Sequence, residues 1–221
     1  MIRVFGYLKR YNKGKIMIDP NYPNHDQFES NTFENWKEFY PEAQEMLPDE
    51  QSKPDYLGPP IRITVYKDSD HAHDLVTRRS VTGILLLVNN TPVKWITKCQ
   101  KTIETSTYGA ELVAAKQAVE LILEYRTMLR LMGANVEQTS LLLGDNKSVV
   151  LNTTVPSSVL KKKHCALSYH KVREMISCNV VRFTHIDSSQ NYADLLTKAL
   201  PRQKFRRLID PLLFRKPDHG L

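Results

Sequence analysis

Four acidic residues stand at or just beyond apolar segments, where carboxylates could hold divalent metal. They are Asp68, Glu111, Asp145 and Asp194. Asp68 follows the β-rich run IRITVYK and Asp145 follows SLLLG, so both are expected at carboxyl ends of strands, where α/β sheets bind ligands. Converging carboxylates raise one another's pKa unless cations sit between them, and an oxygen-only set suits Mg²⁺ or Mn²⁺ better than zinc. The pattern predicts a metal-dependent phosphoryl-transfer site.

Glu111 is expected on a helix, because it shares a face with Ala115, Ala118 and Ile122 at helical spacing. A carboxylate on such an apolar face needs a partner. Singly, Asp68, Asp145 and Asp194 could each be a solvated turn or helix residue, so the metal interpretation depends on the set. Of the neighbouring acids, Asp70 and Asp74 are read as solvated, with Asp70 the alternative ligand.

Composition indicates one ordinary domain with an appendage, in an intracellular protein that is not secreted. The chain has 221 residues, a hydrophobic fraction of 41% and a net charge of +7. No apolar run approaches the ~20 residues that span a membrane. The three cysteines are odd in number and lack zinc-ligand spacing, so they are expected to be reduced, buried small residues. They are Cys99, Cys165 and Cys178.

The charge is unevenly distributed along the chain. Residues 1–60 carry 7 basic and 10 acidic side chains, whereas residues 61–221 carry 24 and 14. A basic body predicts a polyanionic partner, and this inference gains weight beside a carboxylate cluster because phosphodiester substrates need both features.

Periodicity and turn residues divide the chain into a leader, an ordered domain and a tail. The leader, 1–60, is predicted to hold a basic helix fragment, a short strand near KIMID and one short helix around 32–47, whose aromatics near Trp36 would make any docking contact. The domain is expected at 61–205 and the tail at 206–221. Within the domain, strands are predicted at 61–67, 81–89, 91–98, 139–143 and 179–186. Helices are predicted from Ser106 or Thr107 to Met132, after Asp145, near 164–177 and near 190–199.

This order predicts a mixed α/β sheet of three antiparallel strands followed by two parallel strands, with helices on both faces. Several motifs in the same order are similar to the ribonuclease H domain of copia-type LTR retrotransposon Pol polyproteins, over roughly residues 61–205. They are YKDSDHAHD, RRSVTG, ETSTYGAEL, GDNKSV, KKHCALSYHKVRE and NYADLLTKALP. The leader resembles the connection between reverse transcriptase and ribonuclease H, and the Tyr-x-Asp-Asp turn of the polymerase is absent from this sequence.

The resemblance implies a ribonuclease H-like fold and two-metal hydrolysis of the RNA strand in RNA–DNA hybrids during reverse transcription. It assigns Asp68, Glu111, Asp145 and Asp194 as catalytic residues that ligate two Mg²⁺ or Mn²⁺ ions. Asp68 would bridge both ions, Asp145 and Asp194 would share the one that orients the attacking water, and Glu111 the one at the leaving oxygen. The implied partners are the hybrid and a reverse transcriptase domain in cis or trans. The implied location is a cytoplasmic virus-like particle or the nucleus, with no membrane.

Motif positions suggest further roles outside the carboxylates. The predicted substrate contacts are Arg79, Ser106, Asn146 and Lys163, with Arg78, Lys147, Lys161 and Lys162 as further basic or loop candidates. Recognition would be by hybrid shape and 2′-hydroxyl groups. His185 lies 9 residues before Asp194, where ribonucleases H often carry a mobile histidine for product release; the alternative is a half-buried strand histidine.

The sequence departs from the resembled pattern at two places. His71 and His73 stand where Trp and Gly are usual, and Gly109 replaces an additional Glu. Neither change removes a predicted ligand. Two other functions stay open: a catalytically weak relic that binds nucleic acid or needs a reverse transcriptase domain, and an integrase or transposase, which the motif order fits poorly.

Overall fold

The structure is a computed structural model that describes most of the chain in four pieces. They are residues 14–24, 28, 36–47 and 54–214. The basic helix predicted before residue 14 lies outside these residues. In the part of the chain that is described, no helix is long and apolar enough to cross a membrane.

Nine strands and six α-helices occur in the described residues. The strands are β1 (Lys15–Ile16), β2 (Leu57–Ile61), β3 (Ile63–Asp70), β4 (Val81–Val88), β5 (Thr91–Cys99), β6 (Ala134–Val136), β7 (Ser140–Gly144), β8 (Val181–His185) and β9 (Leu213–Phe214). The helices are α1 (Trp36–Phe39), α2 (Thr107–Leu131), α3 (Lys147–Thr154), α4 (Ala166–Ser177), α5 (Asp194–Thr197) and α6 (Arg202–Ile209). A single 3₁₀ turn at Lys163–Cys165 precedes α4.

The central sheet confirms the predicted α/β fold class. Its five strands run in the order β5-β4-β3-β7-β8, and two small two-stranded sheets pair β1 with β9 and β2 with β6. β3, β4 and β5 are antiparallel neighbours, whereas β7 pairs in parallel with β3 on one side and β8 on the other. Three antiparallel strands followed by two parallel ones form the predicted ribonuclease H-like sheet.

Helices cover both faces of this sheet, which explains why β3 is buried along nearly its whole length. The larger core lies between the sheet and helices α2, α3 and α4, and includes Val65, Leu86 and Phe183. The smaller core on the other face includes Tyr66 and Leu143. Since alternate residues of a strand face opposite sides, a strand covered on both faces buries polar residues as well as apolar ones.

The long helix α2 has well-defined ends. Ser106 caps its first turn, with the side-chain oxygen accepting a hydrogen bond from the backbone N–H of Gly109 at 3.3 Å. Gly133 follows the helix with a φ of +81°, a conformation that favours glycine and ends the helix as predicted. These ends set the position of Glu111 along the helix relative to the sheet.

The last predicted helix differs from the observed one. Instead of a helix over 190–199, the chain forms four-residue α5, after which Lys198 is extended, with φ −124° and ψ 145°. Pro201 then precedes α6, which the sequence did not predict as a helix. Proline disfavours helical conformation in the residue before it, here Leu200, so the first helix cannot continue into the second, although its break at Lys198 comes two residues earlier.

Residues 36–47 of the leader pack against the domain. Trp36 is buried, and the guanidinium of Arg173 lies 4.9 Å from the centre of its ring. Glu45 forms ion pairs with Arg126 and Arg130 of α2. Docking therefore involves aromatics near Trp36, together with a carboxylate. The domain boundaries at 60 and 205 stay predictions.

Candidate metal centre

Three aspartates from separate parts of the sequence converge at one end of the central sheet. Asp68 lies within β3, Asp145 directly follows β7, and Asp194 is the first residue of α5. The parallel register pairs Tyr66 with Leu143, so continuing it by two residues places Asp68 beside Asp145. One carboxylate oxygen from each aspartate lies within 4.8 Å of the others, a group that could hold a metal ion.

Asp194 is held at this place by the loop before it and by close packing beneath it. The side chain of Asn191 donates to the backbone oxygen of Lys67 at 3.1 Å and accepts from the backbone N–H of Ala193 at 3.1 Å. Gly83 of β4, the cross-strand partner of Asp68, lies directly under α5. A Cβ added at Gly83 would meet Thr197 Cγ2 at 2.6 Å and the Ala193 oxygen at 3.0 Å. Glycine is therefore required for α5 to approach the sheet.

Replacing Gly83 with alanine is expected to push α5 away from β4 and move Asp194 out of the cluster. Overpacking of this kind costs about 1–3 kcal/mol of unfolding free energy, and metal affinity should fall with it. Thr197→Ser removes the methyl group nearest the added Cβ but keeps the hydroxyl that Asp68 uses. The double variant Gly83→Ala with Thr197→Ser should therefore regain part of the lost stability and part of the lost metal affinity. Urea unfolding and Mg²⁺ titration check this; equal behaviour of Gly83→Ala and wild type would contradict the packing argument.

Glu111 lies beside the three aspartates but is engaged by a different cation. Its carboxylate accepts a hydrogen bond from the ammonium of Lys67, which is fully buried, and another from the backbone N–H of Ser69 at 3.3 Å. Lys67 and Asp68 are consecutive in β3 and point to opposite faces. Lys67 thus faces α2, and Asp68 faces α5. The structure brings three of the four predicted ligands together, with Glu111 paired separately at the edge of the group.

Two lysines from the end of α5 and from α6 neutralise the aspartates. The ammonium of Lys198 lies 3.0 Å from Asp68 Oδ1 and 2.8 Å from Asp194 Oδ1. Lys204 reaches the second oxygen of Asp194 at 2.5 Å. The Thr197 hydroxyl also donates to Asp68. The cluster therefore already binds a cation, supplied by the chain itself, between two of the predicted metal ligands.

The electrostatics of the cluster are those of crowded, buried acids. Burial, and next the charge of Glu111, raises the pKa of Asp68 to about 6. The same two causes raise the pKa of Asp145. For Lys198, burial alone would lower the pKa, but hydrogen bonds and attraction to Asp194 and Asp68 raise it overall. A divalent cation would relieve the carboxylate repulsion, as the sequence predicted for a converging set.

Lys198→Gln is expected to destabilise the metal-free protein and increase its stabilisation by Mg²⁺. Without the ammonium, two buried carboxylates lose a cation that Mg²⁺ can replace, at a cost of about 1–2 kcal/mol because Lys198 is partly exposed. The measurement is the melting temperature in chelator and in Mg²⁺. Lys116→Gln, which breaks the exposed pair with Glu120, is the control. An equal Mg²⁺ effect in all three proteins would show that Lys198 does not compete with metal.

The predicted substrate contacts lie on loops and helix starts. Arg79 is exposed on the loop between β3 and β4, and Lys163 is exposed in the 3₁₀ turn before α4. Ser106 caps α2 and also accepts a hydrogen bond from Lys162. Asn146 caps α3, its side chain accepting from the backbone N–H of Val149 at 3.1 Å. For Ser106 and Asn146 the structure therefore shows a capping role, and contact with substrate stays a prediction.

His185 is the last residue of β8 and is exposed, so it is not a half-buried strand residue. Its Nε2 atom lies 3.2 Å from the backbone oxygen of Asp145. The predicted histidine is thus adjacent to a predicted ligand. Asp70, the alternative ligand, pairs with His73 at 2.6 Å and is not part of the aspartate group.

Sequence reasoning missed the polar residues that surround the aspartates. They are Lys67, Asn191, Thr197, Lys198 and Lys204. One signal was available: Lys198 follows Asp194 by four residues, the spacing of an ion pair on a helix. Lys204 carries no such signal, because its approach depends on the turn between α5 and α6.

The comparisons with known proteins agree with the motifs. No family model matches the sequence. The chain is 30% identical over 140 residues to the retrovirus-related Pol polyprotein from transposon TNT 1-94 of Nicotiana tabacum, covering 63% of this chain and 10% of the relative. It is 26% identical over 149 residues to that from transposon RE2 of Arabidopsis thaliana, covering 67% of this chain and 10% of the relative. The match thus spans about a tenth of these polyproteins.

Two solved structures are also similar to the chain. One is LC11-RNase H1 in complex with an RNA/DNA hybrid, with 16% identity, a TM-score of 0.49, and coverage of 61% of this chain and 93% of that one. The other is the N-terminal RNase H domain of rv2228c from Mycobacterium tuberculosis, with 14% identity, a TM-score of 0.47, and coverage of 68% and 97%. The sequence similarity to the two transposon Pol polyproteins confirms the predicted resemblance to copia-type Pol polyproteins.

Proposed function

We propose that this protein is a metal-dependent ribonuclease that cuts the RNA strand of RNA–DNA hybrids during reverse transcription. The observation that carries the proposal is the convergence of Asp68, Asp145 and Asp194, with oxygens within 4.8 Å, at the end of a ribonuclease H-like sheet. Similarity to retrotransposon Pol polyproteins supports a substrate made in reverse transcription. The place of action would be a cytoplasmic virus-like particle or the nucleus.

The residues of the cluster fit hard divalent cations. All three ligand groups are carboxylates, and the ammonium of Lys198 is bound between two of them as a metal ion would be. Asp68, Asp145 and Asp194 would hold two Mg²⁺ or Mn²⁺ ions, with Glu111 as the fourth carboxylate. When bound, such ions stabilise both the attacking and the leaving oxygen of an in-line displacement at phosphorus.

The chain's own groups supply positioning and charge around this chemistry. Asn191 holds Asp194 against β3, and Lys67 orients Glu111 from the opposite face of the strand. Exposed basic side chains, Arg79 and Lys163 among them, would contact the hybrid backbone. His185, exposed beside Asp145, would help the product leave the site.

The test is cleavage of a hybrid that is labelled on each strand, in Mg²⁺ or Mn²⁺. Wild type should cut only the RNA strand, and Asp145→Asn should lower the rate at least about 100-fold, because a ligand charge is lost with little change in shape. Asp55→Asn is the matched control, since this exposed residue lies near Gly133, beyond the far end of α2 from Glu111. Cleavage of duplex DNA instead would favour an integrase or transposase.

A second function is favoured by the lysines of the cluster. Lys198 and Lys204 already neutralise Asp194, and Lys67 already neutralises Glu111. A chain in this state would bind nucleic acid weakly or act only beside a reverse transcriptase domain. Folded wild-type protein that cuts no hybrid alone but does so when joined to that domain would support this dependent function.

A further inference from the structure

A second cluster of metal-binding side chains lies apart from the three aspartates. Glu104, on the loop between β5 and α2, meets His164 and Cys165 of the 3₁₀ turn before α4. One donor atom from each of these residues lies within 4.8 Å of the others. None of the three residues serves the proposed hydrolysis. The combination of carboxylate, imidazole and thiol differs chemically from the oxygen-only aspartate group.

The separations match those around a tetrahedral ion. His164 Nε2 lies 3.4 Å from Glu104 Oε2, and Cys165 Sγ lies 3.7 Å from the same oxygen. Zinc bonds of about 2.0 Å to nitrogen or oxygen and about 2.3 Å to sulfur set tetrahedral ligand atoms roughly 3.3–3.8 Å apart. The three side chains therefore need little movement to share one ion.

Glu104 is a buried carboxylate in need of a cation. It is 8% exposed, and Thr102 donates a hydrogen bond to it at 3.1 Å. Among the described residues, His164 is its ion-pair partner, and this imidazole is half exposed. A buried carboxylate is costly unless a cation lies beside it, and a metal ion bound at this position would supply that charge.

Space for Glu104 is created by a glycine in the next helix. A Cβ added at Gly109 would lie 2.5 Å from Glu104 Oε2, so a side chain at that position would displace the carboxylate. Glycine at position 109 therefore leaves room for the carboxylate of Glu104. The exposed side of His164 leaves a path for an ion to enter.

We propose that Glu104, His164 and Cys165 form a binding site for one zinc-class divalent ion, with the fourth position open to water. A thiolate and an imidazole favour such ions over Mg²⁺, so this site and the aspartate cluster would select different metals. Burial and Glu104 raise the pKa of the Cys165 thiol to about 11, so the thiol is protonated until metal binds. Binding then releases that proton to solvent without any change in oxidation state.

The test is titration of the whole chain with Co²⁺ as a spectroscopic substitute for zinc, in excess Mg²⁺ to occupy the aspartate cluster. One equivalent should give a thiolate charge-transfer band and the intense visible bands of tetrahedral Co²⁺. Cys165→Ser and His164→Asn should each lose the signal or weaken binding at least about 10-fold. His164 is half exposed, so its variant tests the site even if Cys165→Ser folds poorly.

Cys178→Ser and Asp145→Asn are the controls, and both should bind like wild type. Zn²⁺ should also raise the melting temperature of wild type and Asp145→Asn alike, but not that of His164→Asn. Folded wild type without a thiolate band would overturn the proposal. So would a band that survives in Cys165→Ser and disappears in Cys178→Ser or Cys99→Ser. Failure of hybrid cleavage would not affect these results, because none of them depends on activity.

Discussion

Asp68→Asn is expected to lower hydrolysis of the RNA strand on the order of 10³-fold while making the metal-free protein more stable at pH 7. The loss of activity follows from the position of Asp68, fully buried between Asp194 and Glu111 at the centre of the proposed metal ligands. Asparagine keeps the size of the side chain but removes the charge that attracts cations. Steady-state cleavage in saturating Mg²⁺ measures the first effect.

The gain in stability follows from the raised pKa. Asp68 titrates at about 6 in the folded protein, against 3.8 for an unperturbed aspartate. Between these two values the folded state keeps a proton that the unfolded state has lost, so wild type loses stability as pH rises through this window. The full effect approaches roughly 3 kcal/mol at about 1.4 kcal/mol per pH unit. Asparagine mimics the protonated acid and avoids the loss.

Wild type and Asp68→Asn are expected to differ in stability in opposite ways in chelator and in Mg²⁺. In chelator, Asp68→Asn should unfold at higher urea than wild type at pH 7, and the difference should vanish near pH 4. In Mg²⁺, wild type should gain stability by mass action and the variant should gain little. Asp70→Asn is the matched control, because Asp70 lies on the same strand face and pairs with His73. If Asp70→Asn were inactive and Asp68→Asn active, the ligand assignment would be wrong.

The sheet could be predicted because its signals are local. β-forming residues either alternate with other residues or form continuous runs in IRITVYK, VTGILLLVN and TPVKWITK. The Asn89-Asn90 pair between the last two segments forms the expected turn, with Asn89 at a φ of +51°. The positions of Asp68 and Asp145 could be predicted in the same way, because neighbouring parallel strands end at one edge of the sheet. Asp194 came from the motif alone.

Apart from Lys198, whose spacing from Asp194 gave a signal, the cations around the site could not be predicted, because burial is a tertiary property. A lysine near the end of a strand is expected to be exposed to solvent. Because β3 is covered on both faces, however, Lys67 is fully buried against Phe183 and Glu111. Cys165 shows the same limit, since its cluster joins parts of the chain 61 residues apart. The expectation that all three cysteines are buried holds for Cys165 alone, because Cys99 is exposed and Cys178 is only partly buried.

One missed interaction did have a signal in the sequence. The apolar stripe that runs from Glu111 through Ala118 and Ile122 continues at helical spacing to Arg126 and Arg130. An arginine on a core stripe requires a buried partner. The structure supplies it from the leader, where Glu45 binds both guanidinium groups. The partner could not be named in advance, because Glu45 lies more than 80 positions away in a polar segment.

Glu45→Ala is expected to lower the free energy of unfolding by about 2–4 kcal/mol and to free residues 36–47 from the domain. Arg126 is fully buried and makes two parallel hydrogen bonds to Glu45, at 2.6 and 2.9 Å. Arg130 adds a bond at 2.7 Å. Without the carboxylate, two like charges one helical turn apart remain facing each other. The cost falls short of a fully isolated charge because Arg126 keeps backbone acceptors, including Gln138 at 2.7 Å.

The contribution of Glu45 to the free energy of unfolding depends on pH with the opposite sign from that of Asp68. Although burial would raise the pKa of Glu45, its bonds to Arg126 and Arg130 lower the pKa overall. Its contribution is therefore present above the pKa of an unfolded glutamate, about 4.3, and is lost as pH falls through the lower folded value. The difference between wild type and Glu45→Ala should be full at pH 7 and shrink in acid.

Glu42→Ala is the matched control for this prediction, because Glu42 lies in the same segment with an exposed side chain. Its unfolding free energy should stay within about 0.5 kcal/mol of wild type. Hydrogen exchange at residues 36–47 separates local release from global loss, since a detached segment exchanges fast while α2 stays protected. If Glu45→Ala matched Glu42→Ala in both measurements, Trp36 and Arg173 would be sufficient to hold the segment. The buried ion pairs would then contribute little beyond neutralising Arg126.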